Sequence, residues 1–180
     1  MDAIAHRGPD QHDYFTDTSI SLGHRRLSII DLSEKGKQPM CNEDGSIWLV
    51  FNGEIYNHKI LREQLEQNGH IFKSHTDSEV IIHLYEERGE DIWMLLEGMF
   101  AIAIYDSNKN KLLLGRDRFG IKPLFYYQKG IDFGFASNIN ALKKTGNVDL
   151  TINKQAIFDF TAFLYIPAPL TFYENIYAML

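Results

Sequence analysis

Hydrophobic and polar positions change their spacing along the chain, and each change marks an element. Between residues 13 and 22, Tyr14, Phe15 and Ile20 surround the polar Thr16-Asp17-Thr18, the pattern of a β hairpin. An apolar run over residues 27–32 follows. Asp44-Gly45 is a turn signal, and Ile47-Trp48-Leu49-Val50-Phe51 behind it reads as a strand. Residues 57–69 have helical spacing. Ile60, Leu61 and Leu65 form an apolar face, Asn57 stands where a cap is expected, and Gly69 stands where helices commonly stop. Thr76-x-x-Glu79 has the form of a capping box at the head of a second helix, which carries Val80, Ile81, Leu84 and Tyr85 and again meets a glycine, Gly89.

The second half returns to strands. Met99-Phe100-Ala101-Ile102-Ala103-Ile104-Tyr105 is continuously apolar, as a strand buried on both faces is. A polar turn over residues 107–110 leads into Lys111-Leu112-Leu113-Leu114. Residues 124–127 and 131–136, split by Lys129-Gly130, predict another hairpin. Two helices flanked by hairpins predict an α+β sandwich in which helices cover antiparallel sheets. Residues 143–149 look like a linker, and residues 153–165 predict an aromatic-rich helix that ends at Ile166-Pro167-Ala168-Pro169.

Composition narrows the function classes. The 180 residues carry 18 Lys+Arg against 24 Asp+Glu, a net charge of -6, and the basic residues come as pairs rather than runs. This balance argues against a nucleic-acid binder. With 44% hydrophobic and 13% aromatic residues the chain can bury a core. Cys41 is the single cysteine, so no internal disulfide forms and a reducing, cytoplasmic setting fits. No stretch has the apolar length of a signal peptide or a membrane span, so no membrane partner is expected.

Several segments carry chemistry, each with a plainer reading beside it. Asn52-Gly53-Glu54 offers an amide side chain, a glycine N–H and a carboxylate, the makings of an oxyanion-stabilising site, or an ordinary turn. Arg7-Gly8-Pro9-Asp10 is a stiff turn that an Arg–Asp pair would pin. Arg25-Arg26 could grip a carboxylate or form surface ion pairs. Asp77 could hold an ammonium group, although acidic residues suit a helix start in any case. Residues 115–123 match no phosphate loop, since Ile121 separates Gly120 from Lys122 and Pro123 follows. They read as a rigid, charged loop. Glu79 and His83 stand i, i+4 apart without a paired Cys/His pattern, so they read as structural and no metal is expected. Cys41 reads as a plain unpaired thiol.

In order, His6-Arg7-Gly8-Pro9-Asp10, Gly23-His24-Arg25-Arg26-Leu27-Ser28-Ile29-Ile30-Asp31, Gln38-Pro39-Met40 and Asn52-Gly53-Glu54-Ile55-Tyr56-Asn57 form one succession. Thr76-Asp77-Ser78-Glu79, Gly98-Met99-Phe100-Ala101, Gly115-Arg116-Asp117 and Gly120-Ile121-Lys122-Pro123-Leu124 continue it. The succession, over residues 2 to about 137, resembles the N-terminal glutaminase domain of glutamine-dependent asparagine synthetases, which are class II glutamine amidotransferases. Tyr165-Ile166-Pro167-Ala168-Pro169 resembles the entry to that family's ATP-using synthetase domain. The resemblance divides the chain into a glutaminase domain over 1–148 and the start of an incomplete synthetase domain over 149–180.

The resemblance implies an N-terminal-nucleophile (Ntn) hydrolase fold, a four-layer αββα sandwich of antiparallel sheets, here missing its first strand. It implies a mechanism in which an N-terminal cysteine attacks the glutamine side-chain amide, its own α-amine acting as base near pKa about 7.7–8.0. The products are glutamate and ammonia, the latter used to amidate aspartate. By the same resemblance Arg26 clamps the glutamine α-carboxylate, and Asn52 and Gly53 form the oxyanion hole. Glu54 and Asp77 hold the α-ammonium, and the backbone at Ile29 and Ile30 lines the pocket. The implied partners are glutamine, the synthetase domain of the same protein and a second copy in a homodimer. No cofactor is expected in this domain; ATP and Mg²⁺ belong to the synthetase domain. The family begins Met-Cys-Gly-Ile, whereas this chain begins Met1-Asp2 and has no cysteine near its start. The expectation is a fragment inactive by itself, with a non-hydrolytic glutamine-binding module or an amidotransferase using another acceptor as alternatives.

Overall fold

The computed structural model describes residues 1–27, 31, 33–146 and 148–180. After a 3₁₀ segment over Asp2–Arg7, strands β1 (Gln11–Thr16) and β2 (Ser21–Arg26) form an antiparallel hairpin, Gln11 opposite Arg26 and Thr16 opposite Ser21. The Asp17 carboxylate closes the turn by accepting the N–H groups of Ser19 and Ile20. Arg25 and Arg26 thus lie on a strand.

A four-stranded antiparallel sheet follows, β3 (Met40–Cys41), β4 (Ile47–Ile55), β5 (Gly98–Asp106) and β6 (Lys111–Arg116), in that spatial order. Alternation along β4 sorts its side chains by face. Ile47, Leu49, Phe51 and Ile55 join the main core with Leu61 and Leu65 of helix α1 (His58–Gln67) and Val80, Ile81, Leu84 and Tyr85 of α2 (Ser78–Arg88). Trp48, on the other face, stacks on Phe15 of the hairpin with ring centroids 3.9 Å apart. Covered by helices on one side and the hairpin on the other, β5 is buried from Phe100 to Asp106, as its unbroken apolar run requires.

Strands β7 (Phe125–Lys129), β8 (Asp132–Ala136) and β9 (Ile176–Ala178) make a three-stranded sheet, order β8-β7-β9, with α3 (Ile139–Lys143) packed on β7 and β8. Helix α4 (Lys154–Phe163) is capped by the Asn153 side chain, which accepts the Ala156 N–H. Tyr127, Leu142 and Ile176 form a second small core. The helix–sheet–sheet–helix order matches the expected αββα sandwich. Its second sheet stands in two pieces among the described residues, β1–β2 and β8–β7–β9. A cavity of ≈ 420 Å³ lies between them, lined by Leu22 and His24 of β2, Val50 and Asn52 of β4, Ala136 of β8 and Leu142 of α3.

Two local expectations, both about helix caps, need correction. Asn57 occupies the cap position of α1, but its side chain bridges the Leu95 carbonyl and the Glu97 N–H instead of bonding the helix. The capping box at Thr76 does not form. Asp77 is the cap residue of α2, and the Glu79 carboxylate accepts the Lys73 and Ser74 N–H groups and the Ser74 hydroxyl. The Lys73 and Ser74 N–H groups lie in a loop with no ladder partner and take that acceptor ahead of the helix start. Arg7 also donates to the carbonyl and hydroxyl of Ser137, far along the chain. Residues 139–143, just ahead of the expected linker, form α3. The apolar run at residues 27–32 lies mostly outside the described residues.

Candidate active site

Period-two alternation along β2 turns Leu22, His24 and Arg26 inward. Arg26 is buried, 7% exposed, and donates to Gln11 Oε1 at 2.7 Å and to the carbonyls of Ser33 and Asp31. Asp31 has left-handed backbone, φ 55. Its carboxylate accepts the N–H of His75 and the N–H of Ser33, both at 2.9 Å, and these bonds hold its pKa down at about 2. The Arg26 loop is thereby fastened to the loop ahead of α2. Gly36 makes room for the guanidinium, since a Cβ there would come 2.4 Å from Nη2.

Past its short pairing with β3 at Trp48 and Leu49, the edge of β4 forms the opposite wall. In an antiparallel ladder alternate residues present their N–H groups to the same edge. Phe51 N–H is taken by Gln38 Oε1 at 2.7 Å and Ile55 N–H by Asp77 Oδ2 at 2.9 Å. Gly53 stands between them, its N–H directed to that edge. Only glycine fits, because a Cβ would lie 2.1 Å from the Met99 carbonyl oxygen on β5. Asn52 points to the other face, and its Nδ2 is buried with no hydrogen-bond partner among the described residues. A buried amide donor without an acceptor costs about 1–3 kcal/mol, which a ligand oxygen would relieve.

Arg26, Asn52, Gly53, Glu54 and Asp77 all line one cleft of ≈ 320 Å³. Asp77 is buried, and burial raises the pKa of its carboxyl; Glu54 is exposed at the rim. Ile29 and Ile30 lie outside the described residues. Arg7, His24, Gln38, Thr76, Ser78 and Lys122 line the same cleft and were not singled out from sequence as site residues. The alternation of β2 could have found His24. The cleft therefore offers guanidinium and carboxylate groups together with amide donors, a match for a molecule carrying one charge of each sign and a polarisable carbonyl.

Cys41 is not part of this cleft. It lies on β3 opposite Trp48, half-buried, and burial pushes its thiol pKa up, away from thiolate chemistry. The loop after β6 is a rigid, charged one, as its sequence suggested, and its Lys122 reaches the cleft lining. Asp117 accepts the N–H groups of Phe100, Phe119, Ile121 and Lys122, while Arg116 donates to the carbonyls of Gly120, Lys122 and Met179.

The family model described as a glutamine amidotransferase domain matches residues 1–180. This chain belongs to that family. The amidotransferase domain is 53% identical over 141 residues to the glutamine-hydrolyzing asparagine synthetase 2 of Bacillus subtilis (strain 168), covering 78% of the chain and 18% of that protein. It is 44% identical over 168 residues to asparagine synthetase 1 of the same organism, covering 93% of the chain and 26% of that protein. The chain thus spans about a fifth to a quarter of the length of these relatives. Among solved structures, the glutamine phosphoribosylpyrophosphate amidotransferase of B. subtilis, in complex with ADP and GMP, superposes with a TM-score of 0.61 at 27% identity. That match covers 71% of the amidotransferase domain and 30% of the solved chain. Its Ntn-hydrolase sandwich is the fold found here. No helix among the described residues is long and apolar enough to cross a membrane.

Proposed function

We propose that this domain binds glutamine in the cleft between Arg26 and Asp77 and serves as the glutaminase part of an asparagine synthetase. The observation that carries this reading is the buried, unpartnered Asn52 Nδ2 beside the open Gly53 edge. Arg26 neutralises the substrate α-carboxylate, and Glu54 with Asp77 neutralises the α-ammonium. The side-chain carboxamide then reaches Asn52 and Gly53. When a thiolate attacks that carbonyl carbon, charge develops on its oxygen. The two fixed donors stabilise it without reorganising, an effect worth about 2.7–4 kcal/mol per donor.

The single cysteine, Cys41, stands off the cleft, so these 180 residues are expected to bind glutamine without cleaving it. The ammonia would be used by a second domain, for which ATP and Mg²⁺ would supply activation of the acceptor, aspartate in this reading; no residue of the cleft is assigned to either. Two measurements on the 180-residue chain test the proposal: glutamine affinity with and without Asn52→Ala, and ammonia release. The expected results are weaker binding in the variant and ammonia at background. Ammonia release above background, or unchanged affinity, overturns it.

A further inference from the structure

Three side chains that do not line the glutamine cleft converge on one another at α2. His83 on α2 is 2% exposed. Its Nδ1 lies 3.1 Å from Nδ1 of His70, in the loop after α1, and 3.1 Å from Oε2 of Glu86, one turn along α2. The third side of the triangle, His70 Nδ1 to Glu86 Oε2, is 3.5 Å. Sequence alone shows only the Glu79–His83 pair; the fold adds His70 from ahead of the helix.

The outer atoms of these rings decide what the triangle can hold. His70 Nε2 faces Glu87 Oε1 at 3.3 Å, and Glu87 is itself held by Asn68 Nδ2 at 2.8 Å. His83 Nε2, buried and without a hydrogen-bond partner, faces Glu79 Oε1 at 3.8 Å. Glu87, within hydrogen-bond range of His70 Nε2, favours the hydrogen on that nitrogen and a lone pair on Nδ1, and a metal ion at the His83 Nδ1 would require the same tautomer there. Glu86 is oriented in the same sense, because Asn42 Nδ2 donates to its Oε1 at 3.0 Å and leaves Oε2 toward the triangle. Two imidazole nitrogens and a carboxylate oxygen thus converge on one point, with the Glu79 and Glu87 carboxylates behind them, an arrangement that either a shared proton or a metal ion would hold together.

We propose that His70, His83 and Glu86 form a zinc-binding site. Ligands about 2.0–2.1 Å from a tetrahedral zinc ion lie about 3.3 Å from one another, and the triangle's sides of 3.1, 3.1 and 3.5 Å match one face of that tetrahedron. Two histidines and a glutamate are a known zinc ligand set; Glu87 and Asn42 stand at hydrogen-bond range behind His70 and Glu86, and Glu79 faces His83 from 3.8 Å. The fourth position opens toward the less buried side of His70 and Glu86, where water completes the shell. The site has a structural role. It clamps the loop after α1 to α2, the element that begins at the cleft residues Asp77 and Ser78, and no substrate group reaches it.

The test uses the untagged 180-residue chain, stripped with chelator and dialysed against zinc or, as a spectroscopic probe, cobalt(II). The expected result is one ion per chain, visible absorption typical of four-coordinate cobalt, and a zinc-dependent rise in melting temperature. His70→Gln alters a partly exposed loop residue and leaves the core packing in place. It is expected to weaken zinc binding by more than the about 10–100-fold that losing an outer-shell partner costs, and Glu87→Gln by about that amount. A chain that binds less than a tenth of an equivalent, holding a shared proton in the triangle instead, overturns the proposal. So does zinc binding that His70→Gln and Glu86→Gln both leave unchanged.

Discussion

The Asp77 carboxylate accepts the backbone N–H of Ile55 at 2.9 Å, so the residue assigned to the substrate ammonium also ties α2 to the edge of β4. One oxygen holds the fold while the other is left to the cleft. Asparagine retains an acceptor for Ile55 but loses the charge. Asp77→Asn is therefore expected to keep the melting temperature near that of the parent and to weaken glutamine binding by about 1.5–3 kcal/mol, roughly 10- to 100-fold. Asp77→Ala also strips the buried Ile55 N–H of its acceptor and is expected to cost about 1–3 kcal/mol of stability. Calorimetric titration and urea unfolding of the two variants separate the roles.

Arg26 is expected to tolerate no other cation. Its planar guanidinium serves Gln11 Oε1 and the carbonyls of Asp31 and Ser33 from a buried position, and an ammonium group cannot reproduce that spread of donors. Arg26→Lys is expected to lose about 1–3 kcal/mol of stability together with glutamine affinity. Unfolding midpoints and glutamine titration of the variant measure both.

Gly53 is fixed by its neighbour strand. Gly53→Ala would press a methyl group against the Met99 carbonyl and push β4 from β5. A loss of about 1–3 kcal/mol is expected, read as a lower urea midpoint. A variant as stable as the parent would mean that β4 and β5 separate more easily than their register suggests.

Stability is also expected to depend on pH through His24. Burial, opposed by its bond to the Phe51 carbonyl, lowers its pKa from 6.5 to about 4. Between those values the unfolded chain binds more protons than the folded one. Stability therefore falls as pH drops from about 6.5 to 4, by up to about 3 kcal/mol, and this contribution is constant below that window. His24→Gln keeps a donor for Phe51 and removes the titration, so the difference between unfolding free energies at pH 7 and pH 4.5 is expected to shrink in the variant.

Much of this fold is legible in local sequence because the elements are strongly patterned. The unbroken apolar run of β5, the two hairpins, α1, α2 and the Asn153-capped α4 all follow from spacing and turn residues. What is not legible depends on distance. Asn57 and Glu79 carry cap-like signals, yet tertiary donors and acceptors capture both side chains. Pairing of β9 with β7 joins residues about fifty positions apart, and Arg7 finds Ser137 across most of the chain. The site was legible as residue types, through its resemblance to a family, while the edge geometry that isolates Gly53 and strands Asn52 needed the sheet register.

The most direct measurement is a calorimetric titration of the 180-residue chain with L-glutamine, run beside an ammonia assay. Saturable binding of one glutamine per chain is expected, weakened in Asp77→Asn, with ammonia at background. Absence of saturable binding, or binding that Asp77→Asn and Arg26→Lys both leave unchanged, would contradict the assignment of this cleft to glutamine.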